Sequence, residues 1–440
     1  MFRLALRSIR FRAGGFAASF VALFLGALIL MTFASLLDTA PGADPASATT
    51  LDLVAGVVGG WGLIIVAFAT GSTLTLLVRQ RHREMALLRS VGATPAQTVL
   101  LVTGEAAVVA VVAGLAAVIP AAFGGELLLR LLIDTGQVAP GVGHRFGVFA
   151  LTVGLGVTLV AAVLGAVVAA RRAPNARRTT TTGQRLSRKR IAAGTLVLLA
   201  GLSCGVLTAT VFAGGGLEVM AVAGQAVILS SIGLAVLSPA LARAVVAVAG
   251  GPVRALTGVG GYLTVHTIRQ RTTQFADGLV AVILFTGIAT GTLYLQAIEN
   301  SAGVVRAPEH QSVETLNFVV VGMISLFAAV LLVNTLTAAI IHRRAEFGVQ
   351  RLAGSTPPQV LGMVSVEGAL LAVTGILAGS LAAVAAIVPY SILRTGSVVP
   401  GESPLIYGIV VAIAALLTLG TSLGAARRAI RTPAIRAVTG

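Results

Sequence analysis

The chain has 440 residues, of which 56% are hydrophobic and only 10% are charged, and its mean hydropathy is +0.97. Soluble domains carry about 25% charged residues, so this composition excludes a soluble globular protein and predicts an all-α integral membrane protein. The net charge of +16 does not indicate nucleic-acid binding, because the arginines lie at the ends of apolar segments and not in one basic patch.

Apolar runs of roughly 20 residues predict ten transmembrane helices, since this length crosses a hydrocarbon core of ~30 Å. The first run, from Gly14 to Leu37, has no charged residue. It is longer than the apolar region of a signal peptide, so we expect it to be retained. The predicted spans cover residues 15–37, 53–78, 98–121, 147–170, 191–213, 220–241, 276–297, 315–341, 359–390 and 405–426.

Positive charge predicts the orientation of these spans. If the N-terminus is cytoplasmic and the spans alternate, all but four of the 31 lysines and arginines lie on the cytoplasmic side, as the positive-inside rule requires. We therefore expect a multi-pass membrane protein with both termini in the cytoplasm. The outside segments are too short to form a core of their own, so no large extracytoplasmic domain is predicted.

A polar phrase occurs twice in this apolar chain. "RHREMALLRSVGATPAQ" at 81–97 returns as "RRAEFGVQRLAGSTPPQ" at 343–359, an offset of 262 residues, and 81–105 match 343–367 at nine of 25 positions. Basic phrases before the first and seventh spans, and "AARRA" after the fourth and tenth, repeat as well. These matches predict two parallel four-span units, 1–178 and 254–440, separated by a basic linker and two inserted spans at 179–253.

Each copy of the phrase predicts a rigid elbow between two spans. A short amphipathic helix ends at a glycine, the usual left-handed stop, and a Thr-Pro-x-Gln sequence then resembles a capping box with proline in the first position. The elbow is either a docking helix for a cytoplasmic partner or only a well-capped loop. The candidate coupling residues are Arg81, Arg83, Glu84, Leu88, Arg89, Gly92, Thr94 and Pro95, and in the second copy Arg343, Glu346, Arg351, Gly354, Thr356 and Pro357.

Two acidic residues, Glu105 and Glu367, follow the caps by about eleven residues, which is roughly 16 Å along a helix. A carboxylate at this depth is a functional hypothesis by default. One interpretation is a structural ion pair at the inner leaflet, with Arg10, Arg269 or an arginine of the elbow. The other is the handling of protons or substrate.

Catalytic chemistry is not predicted for this chain. Its one lysine, Lys189, stands in "LSRKRIAAG", and a Walker A loop requires Lys-Ser/Thr after a glycine-rich turn. Any ATP hydrolysis must therefore come from another polypeptide. The lone Cys204 cannot form an intrachain disulfide, and the five histidines are scattered, so no cofactor or metal site is expected.

The repeated phrase resembles the cytoplasmic loop of the FtsX/MacB-like family of ABC transporter permeases, and the resemblance covers both four-span units. It implies a non-catalytic permease subunit in the plasma (inner) membrane of a bacterium. This subunit would bind a LolD/MacB-type cytoplasmic ATPase, with two elbows suggesting two copies of the ATPase. The large extracytoplasmic domains of many members are missing from the predicted topology. We therefore expect export of a hydrophobic or amphiphilic molecule (a lipid, peptide or antibiotic-like compound) from the membrane.

Two other classes of protein remain open. A secondary transporter would need ion-coupling carboxylates in mid-membrane, and the fifth to eighth spans offer almost none. A signalling or scaffold protein could transmit the state of an ATPase without transport. Association with an ATPase separates the permease and the scaffold from the secondary transporter.

Overall fold

The computed structural model describes residues 13–80, 90–172, 188–211, 217–301 and 343–435, with Leu87 and single positions between 322 and 340. These residues contain helices and no strand, which confirms the all-α prediction. The helices are α1 (Ala13–Thr39), α2 (Pro45–Gln80), α3 (Pro95–Asp134), α4 (Val148–Arg172), α5 (Arg188–Thr210), α6 (Leu217–Val236), α7 (Ser238–Gln270), α8 (Thr272–Ser301), α9 (Arg344–Leu352), α10 (Pro357–Thr395) and α11 (Pro404–Ile430).

Eight of the described helices are long and apolar enough to cross a membrane: α1, α3, α4, α5, α6, α8, α10 and α11. They coincide with eight of the ten predicted spans, so the chain is a multi-pass helical membrane protein. The predicted span 53–78 lies inside α2, and the predicted span 315–341 falls in a stretch that is described only in part. The count of ten therefore stays a prediction.

Two helices are longer than a membrane is thick. α3 has 40 residues and α10 has 39, which at 1.5 Å per residue corresponds to roughly 60 Å, about twice the hydrocarbon core. Each contains an internal proline, Pro120 or Pro389, and continues through it. The predicted spans 98–121 and 359–390 are thus parts of longer helices that begin at the elbows and continue past the predicted ends of the spans.

The chain forms two compact units, the first with α1 to α4 and the second with α5 to α11. In the first, α1 packs against α2, α3 and α4. Its contacts with α3 and α4 are made largely by alanines such as Ala27, Ala110, Ala113 and Ala162, and small residues of this kind allow close helix approach within a membrane. A five-residue connection, residues 40–44, joins α1 to α2.

In the second unit α8 is the central helix, with α6, α7, α10 and α11 around it. Its most apolar window is 89% buried, against 22% for α5, so α5 lies at the edge of this unit. Glycines allow α8 to meet α10 closely: a Cβ on Gly287 would stand 3.2 Å from the carbonyl oxygen of Gly379. A movement of α8 would therefore be transmitted to most helices of the second unit.

The helix α7 occupies the segment between the sixth and seventh predicted spans, where no apolar run occurs. Gly258 interrupts it with φ 57°, a left-handed conformation that favours glycine. α7 ends at Gln270 and is capped by Arg271, whose backbone N–H donates to the carbonyl oxygen of Thr267. α8 starts at the residue after Arg271. This junction brings Arg271 to the second elbow.

Candidate functional site

The second elbow consists of α9, the turn at Gly354 and the first turn of α10. Gly354 has φ 97°. Its N–H donates to the carbonyl oxygen of Arg351 at 3.1 Å, and the N–H of Ser355 donates to that of Gln350 at 3.0 Å. These bonds satisfy carbonyl groups that the end of α9 would otherwise leave unpaired. The predicted glycine stop is confirmed.

The start of α10 is capped as its sequence predicts. The N–H of Thr356 donates to Oε1 of Gln359 at 2.9 Å, and Pro357 occupies the first helical position. The first elbow has the complete box, because Thr94 N–H donates to Oε1 of Gln97 at 2.9 Å and Gln97 N–H donates back to Thr94 Oγ1 at 3.2 Å. Each long helix therefore has a firmly fixed starting point.

Four charged side chains connect the second elbow to the helices behind it. Arg343, which precedes α9, places Nη1 2.6 Å from Oε2 of Glu367 on α10. Its Nε lies 3.4 Å from Oε2 of Glu346 on α9. Oε1 of Glu346 in turn accepts from Nη1 of Arg271, at the junction of α7 and α8. A continuous charge chain thus joins α9, α10 and α8.

The charge chain is most buried at its Arg343–Glu367 end, whereas the side chains of Arg271 and Glu346 are 34% and 30% exposed. The side chain of Arg343 is 8% exposed and that of Glu367 18%, and the guanidinium of Arg343 lies 5.4 Å from the ring centroid of Phe347. Burial lowers the pKa of Arg271, and the nearby charge of Arg343 lowers it further while Glu367 opposes the change. Because the pKa of an arginine starts so high, Arg271 stays charged.

Arg351 fixes the elbow to the end of α11. Its Nη1 donates to the carbonyl oxygens of Ile430 at 2.7 Å and Thr432 at 3.0 Å. A cation at this place pairs with carbonyl groups at the negative end of the helix dipole. The other anchor of α9 is apolar. Phe347 is buried in a cluster of residues from α10 and α11, namely Val360, Met363, Val364, Ala425, Ala426 and Ala429, together with Ile340.

Of the first elbow, the structure describes Leu87 and the residues from Ser90 onward. Arg81, Arg83, Glu84, Leu88 and Arg89 lie outside the described residues. Gly92 has φ 102°, which matches the conformation of Gly354, and Thr94 caps α3 as stated above. Glu105 is 1% exposed, so this carboxylate too lies in the interior of its unit.

The structure brings in residues that sequence reasoning did not assign to the site. From the sequence, Arg271 is only one of the arginines that indicate orientation, whereas in the structure it pairs with Glu346, 75 residues away. No pattern among neighbouring residues predicts a contact between positions so far apart in sequence. The sequence offers several arginines as partners of Glu367, and the structure pairs it with the elbow arginine Arg343.

Within each unit, a charged side chain also connects two helices at a place away from the elbow. In the first unit, the carboxylate of Asp38 at the end of α1 accepts from the backbone N–H groups of Gly147, Phe149 and Ala150 at 2.8–3.2 Å, at the start of α4. In the second, Glu299 on α8 pairs with Arg394 on α10, with Nε and Oε2 2.9 Å apart. Within the described part of the chain, no three His, Cys, Asp or Glu side chains come together as metal ligands would.

Comparison with known families matches residues 56–176 and 318–434 to the C-terminal domain of FtsX-like permeases. The two matched segments account for more than half of the chain, and each contains one elbow. The segment between them, with α5 to α8, is not matched. No curated protein matches the chain.

Proposed function

The chain belongs to the FtsX-like permease family, and on that premise we propose that it is the transmembrane subunit of an ABC-type export system. Members of this family are membrane permease components that work with a cytoplasmic ABC ATPase. The observation that carries the proposal for this chain is the second elbow, where a short helix is capped, turned and connected by paired charges to two long helices. A mere loop between spans needs arginines for orientation but no such connections.

The proposed mechanism starts at the elbows, which we place on the cytoplasmic side. An ATPase subunit that moves α9 would move α10 through Arg343 and Glu367, since this pair is short and buried. The same motion would reach α8 through Glu346 and Arg271. ATP hydrolysis in the partner would then change the packing of the helices without any catalytic residue in this chain.

Two elbows support a complex of one permease with two ATPase subunits. The phrase occurs twice, 262 residues apart. Both copies end in a left-handed glycine followed by a capped helix. Each elbow would therefore engage one ATPase in a similar way. Membrane lipid surrounds the remaining exposed apolar faces.

The proposed cargo is a hydrophobic or amphiphilic molecule that leaves the membrane in the outward direction. The connection of residues 40–44 between α1 and α2 is too short to hold a folded domain. The chain thus offers no large receptor domain at that position for a soluble cargo. Lipids, peptides and antibiotic-like compounds that already partition into the membrane fit this restriction best.

Co-expression with candidate cytoplasmic ATPases tests the proposal. A matching ATPase should copurify with the permease in detergent, with two ATPases per permease by native mass spectrometry, and its ATPase rate should change in the complex. Reconstituted vesicles should then export a labelled amphiphile in an ATP-dependent manner. Association without transport would favour the signalling or scaffold role, and transport without any ATPase would favour a secondary transporter.

A further inference from the structure

The helices α8 and α10 are joined by charged groups at both of their ends. Near the second elbow the charge chain connects them. About 40 Å further along α10, Nη2 of Arg394 donates to Oε1 of Glu299 on α8 at 3.0 Å. The proposed function uses only the first of these two connections, so the second needs an explanation of its own.

The far connection is a compact cluster, the latch, formed by Glu299 of α8 with Tyr390 and Arg394 of α10. Both carboxylate oxygens of Glu299 are engaged, since Oε1 accepts from Arg394 and Oε2 accepts from the hydroxyl of Tyr390. The guanidinium of Arg394 lies 5.7 Å from the centroid of the Tyr390 ring. The side chain of Glu299 is still 29% exposed. A partly exposed ion pair separates at a smaller cost than a fully buried one, so the latch is suited to opening.

A proline lies directly before the latch residues of α10. Pro389 has no N–H, so the carbonyl group of Ala385 cannot receive the usual helical hydrogen bond, and helices bend most easily at such places. The helix continues after the proline to Thr395 and is capped by Gly396, which has φ 69°. This last stretch, residues 390–395, carries both α10 residues of the latch and is called the gate segment below. It is bounded by a hinge at one end and a left-handed glycine at the other.

A glycine of α5 lies opposite the hinge. Gly205 is buried, and a Cβ on it would overlap with the carbonyl oxygen of Ala385 and stand 3.6 Å from Cγ of Pro389. The close approach of α5 thus depends on glycine, and it occurs at the carbonyl group that the proline leaves without its helical donor. α5 and α6 belong to the segment that the family model does not match. This inserted pair therefore packs against α10 at the place where α10 can bend.

The first unit holds its far end by other contacts. Its long helix α3 also contains a proline, Pro120, but Asp38 of α1 accepts from backbone N–H groups at the start of α4. Glu126 and Arg130 pair with each other along α3. These charges connect α1 to α4, and α3 to itself, whereas the latch connects α8 to the end of α10. The far ends of the two units are therefore not equivalent.

We propose that the gate segment swings about Pro389 and that the latch holds it closed against α8. Release of Glu299 from Arg394 lets the segment tilt away from α8, which opens a gap between the two helices at their far end. The charge chain at the elbow and the latch share α8 and α10, so a movement that starts at the elbow reaches the latch along both helices. Cargo leaves through the gap, and this role as an exit rests on the proposed function.

The alternative is a static brace that only stabilises the folded unit. The two roles differ in what the proline does. A brace gains from Pro389→Ala, because alanine restores the missing hydrogen bond of the helix. A gate loses its hinge in the same variant and should then stay closed even when the latch is broken.

Distances between spin labels on the permease alone test the gate. Asn300→Cys on α8 and Ile392→Cys on the gate segment, both at exposed positions, carry the labels in a Cys204→Ala background for double electron–electron resonance in lipid nanodiscs. Glu299→Gln should lengthen the mean distance by about 3 Å or more, because a segment ~9 Å long that tilts by roughly 20° moves its tip this far. Pro389→Ala should keep the wild-type distance, also in combination with Glu299→Gln.

The matched control is Glu402→Gln. Glu402 lies in the connection between α10 and α11 and accepts from the hydroxyl of Ser301 at the end of α8. Its loss removes a carboxylate from the same end of the unit without loosening α8 from α10, so the distance should match that of the wild type. Arg394→Lys keeps the charge of the latch and should give a distance between those of the wild type and Glu299→Gln.

The outcomes separate the gate from the brace. An unchanged distance in Glu299→Gln overturns the gate, and so does an equal lengthening with and without Pro389→Ala. If Glu299→Gln yields no folded protein, the complex with ATPase and ATP decides: the distance should lengthen in the wild type and stay short in Pro389→Ala, and equal behaviour of the two would overturn the gate.

Export of a labelled amphiphile from reconstituted vesicles tests the exit. Glu299→Gln should lose the ATP dependence of export, and Pro389→Ala should lose export while it retains ATPase binding. Normal export by Pro389→Ala would overturn the exit and leave the proposed function intact. Distances that respond as expected in a permease that exports nothing with any ATPase would refute the proposed function and the exit together, while the hinge and the latch would stand.

Discussion

Arg343 and Glu367 form an ion pair with Nη1 and Oε2 2.6 Å apart, which joins the start of α9 to the third turn of α10. The two residues are 24 positions apart in sequence. Arg81 and Glu105 have the same separation in the first copy of the repeat. In the second unit the carboxylate that follows the cap pairs with the arginine that precedes the elbow helix, and the equal spacing predicts the same pair in the first copy.

Breaking this pair should uncouple the permease from its ATPase. Glu367→Gln removes the closer of the two carboxylates that pair with Arg343 and leaves it only Glu346, with Nε and Oε2 3.4 Å apart. Loss of one partner of a buried pair costs up to about 3–5 kcal/mol. We expect a lower melting temperature in detergent and loss of ATPase stimulation, with less effect on ATPase binding. The double variant Arg343→Gln with Glu367→Gln should recover part of the stability, because no unpaired charge remains.

The matched control for this experiment is Glu126→Gln. Glu126 pairs with Arg130 four residues on along α3, but both side chains are well exposed. Such a pair contributes only about 0.3–0.5 kcal/mol, so the melting temperature should hardly move. Equal losses in the Glu126 and Glu367 variants would contradict a special role for the buried pair.

Replacing the turn glycine of either elbow by alanine should destabilise the elbow. Gly354→Ala and Gly92→Ala would each place alanine at a φ near +100°, which costs L-residues about 1–2 kcal/mol. We expect both variants to weaken ATPase coupling and to increase hydrogen exchange in the adjoining turn. Gly362→Ala is the control with the opposite sign. It lies inside α10 with no atom within 4 Å of an added Cβ, and alanine there should stabilise the helix by about 1 kcal/mol.

Features determined by neighbouring residues were predictable from sequence, and long-range ones were not. The glycine stop and the Thr94 cap depend on residues at most a few positions apart, so the phrase itself predicts them. The bond from Arg351 to the carbonyl of Ile430 spans 79 residues, and it depends on how α11 packs beside α9. The exposed Val349 and Leu352 of α9 likewise differ from buried core residues only through that packing.

The cap on α3 offers a local test of the first elbow. Thr94→Ala removes the acceptor for the N–H of Gln97, and loss of an N-cap costs about 1 kcal/mol. Amide exchange should rise in the first turn of α3 and stay unchanged in the middle of this helix. Thr152→Ala is the control, since the exposed Thr152 hydroxyl donates only to the carbonyl of Phe149 in its own helix. Unchanged exchange in the Thr94 variant would mean that proline alone fixes the helix start.

Acid should loosen the far end of the first unit through His144, which lies between α3 and α4. Its Nε2 is 3.1 Å from Oγ of Ser35 on α1. Burial lowers the pKa of His144 below its ordinary 6.5, although the negative charges of Glu126 and Asp38 partly oppose this effect. The unfolded chain therefore binds more protons than the folded one in this range.

The sign of the pH dependence follows from this difference. The contribution of neutral His144 to stability is fully present above pH ~6.5 and is lost as the pH falls through the lowered folded-state pKa. The melting temperature should therefore decrease on acidification below pH ~6.5, and His144→Gln should flatten this decrease. His266→Gln is the control, because His266 is exposed and contacts Gln270 within α7. A pH profile that His144→Gln leaves unchanged would assign the acid sensitivity to other groups and leave His144 a purely steric role beside Gly125, where an added Cβ would meet Ser35 and His144.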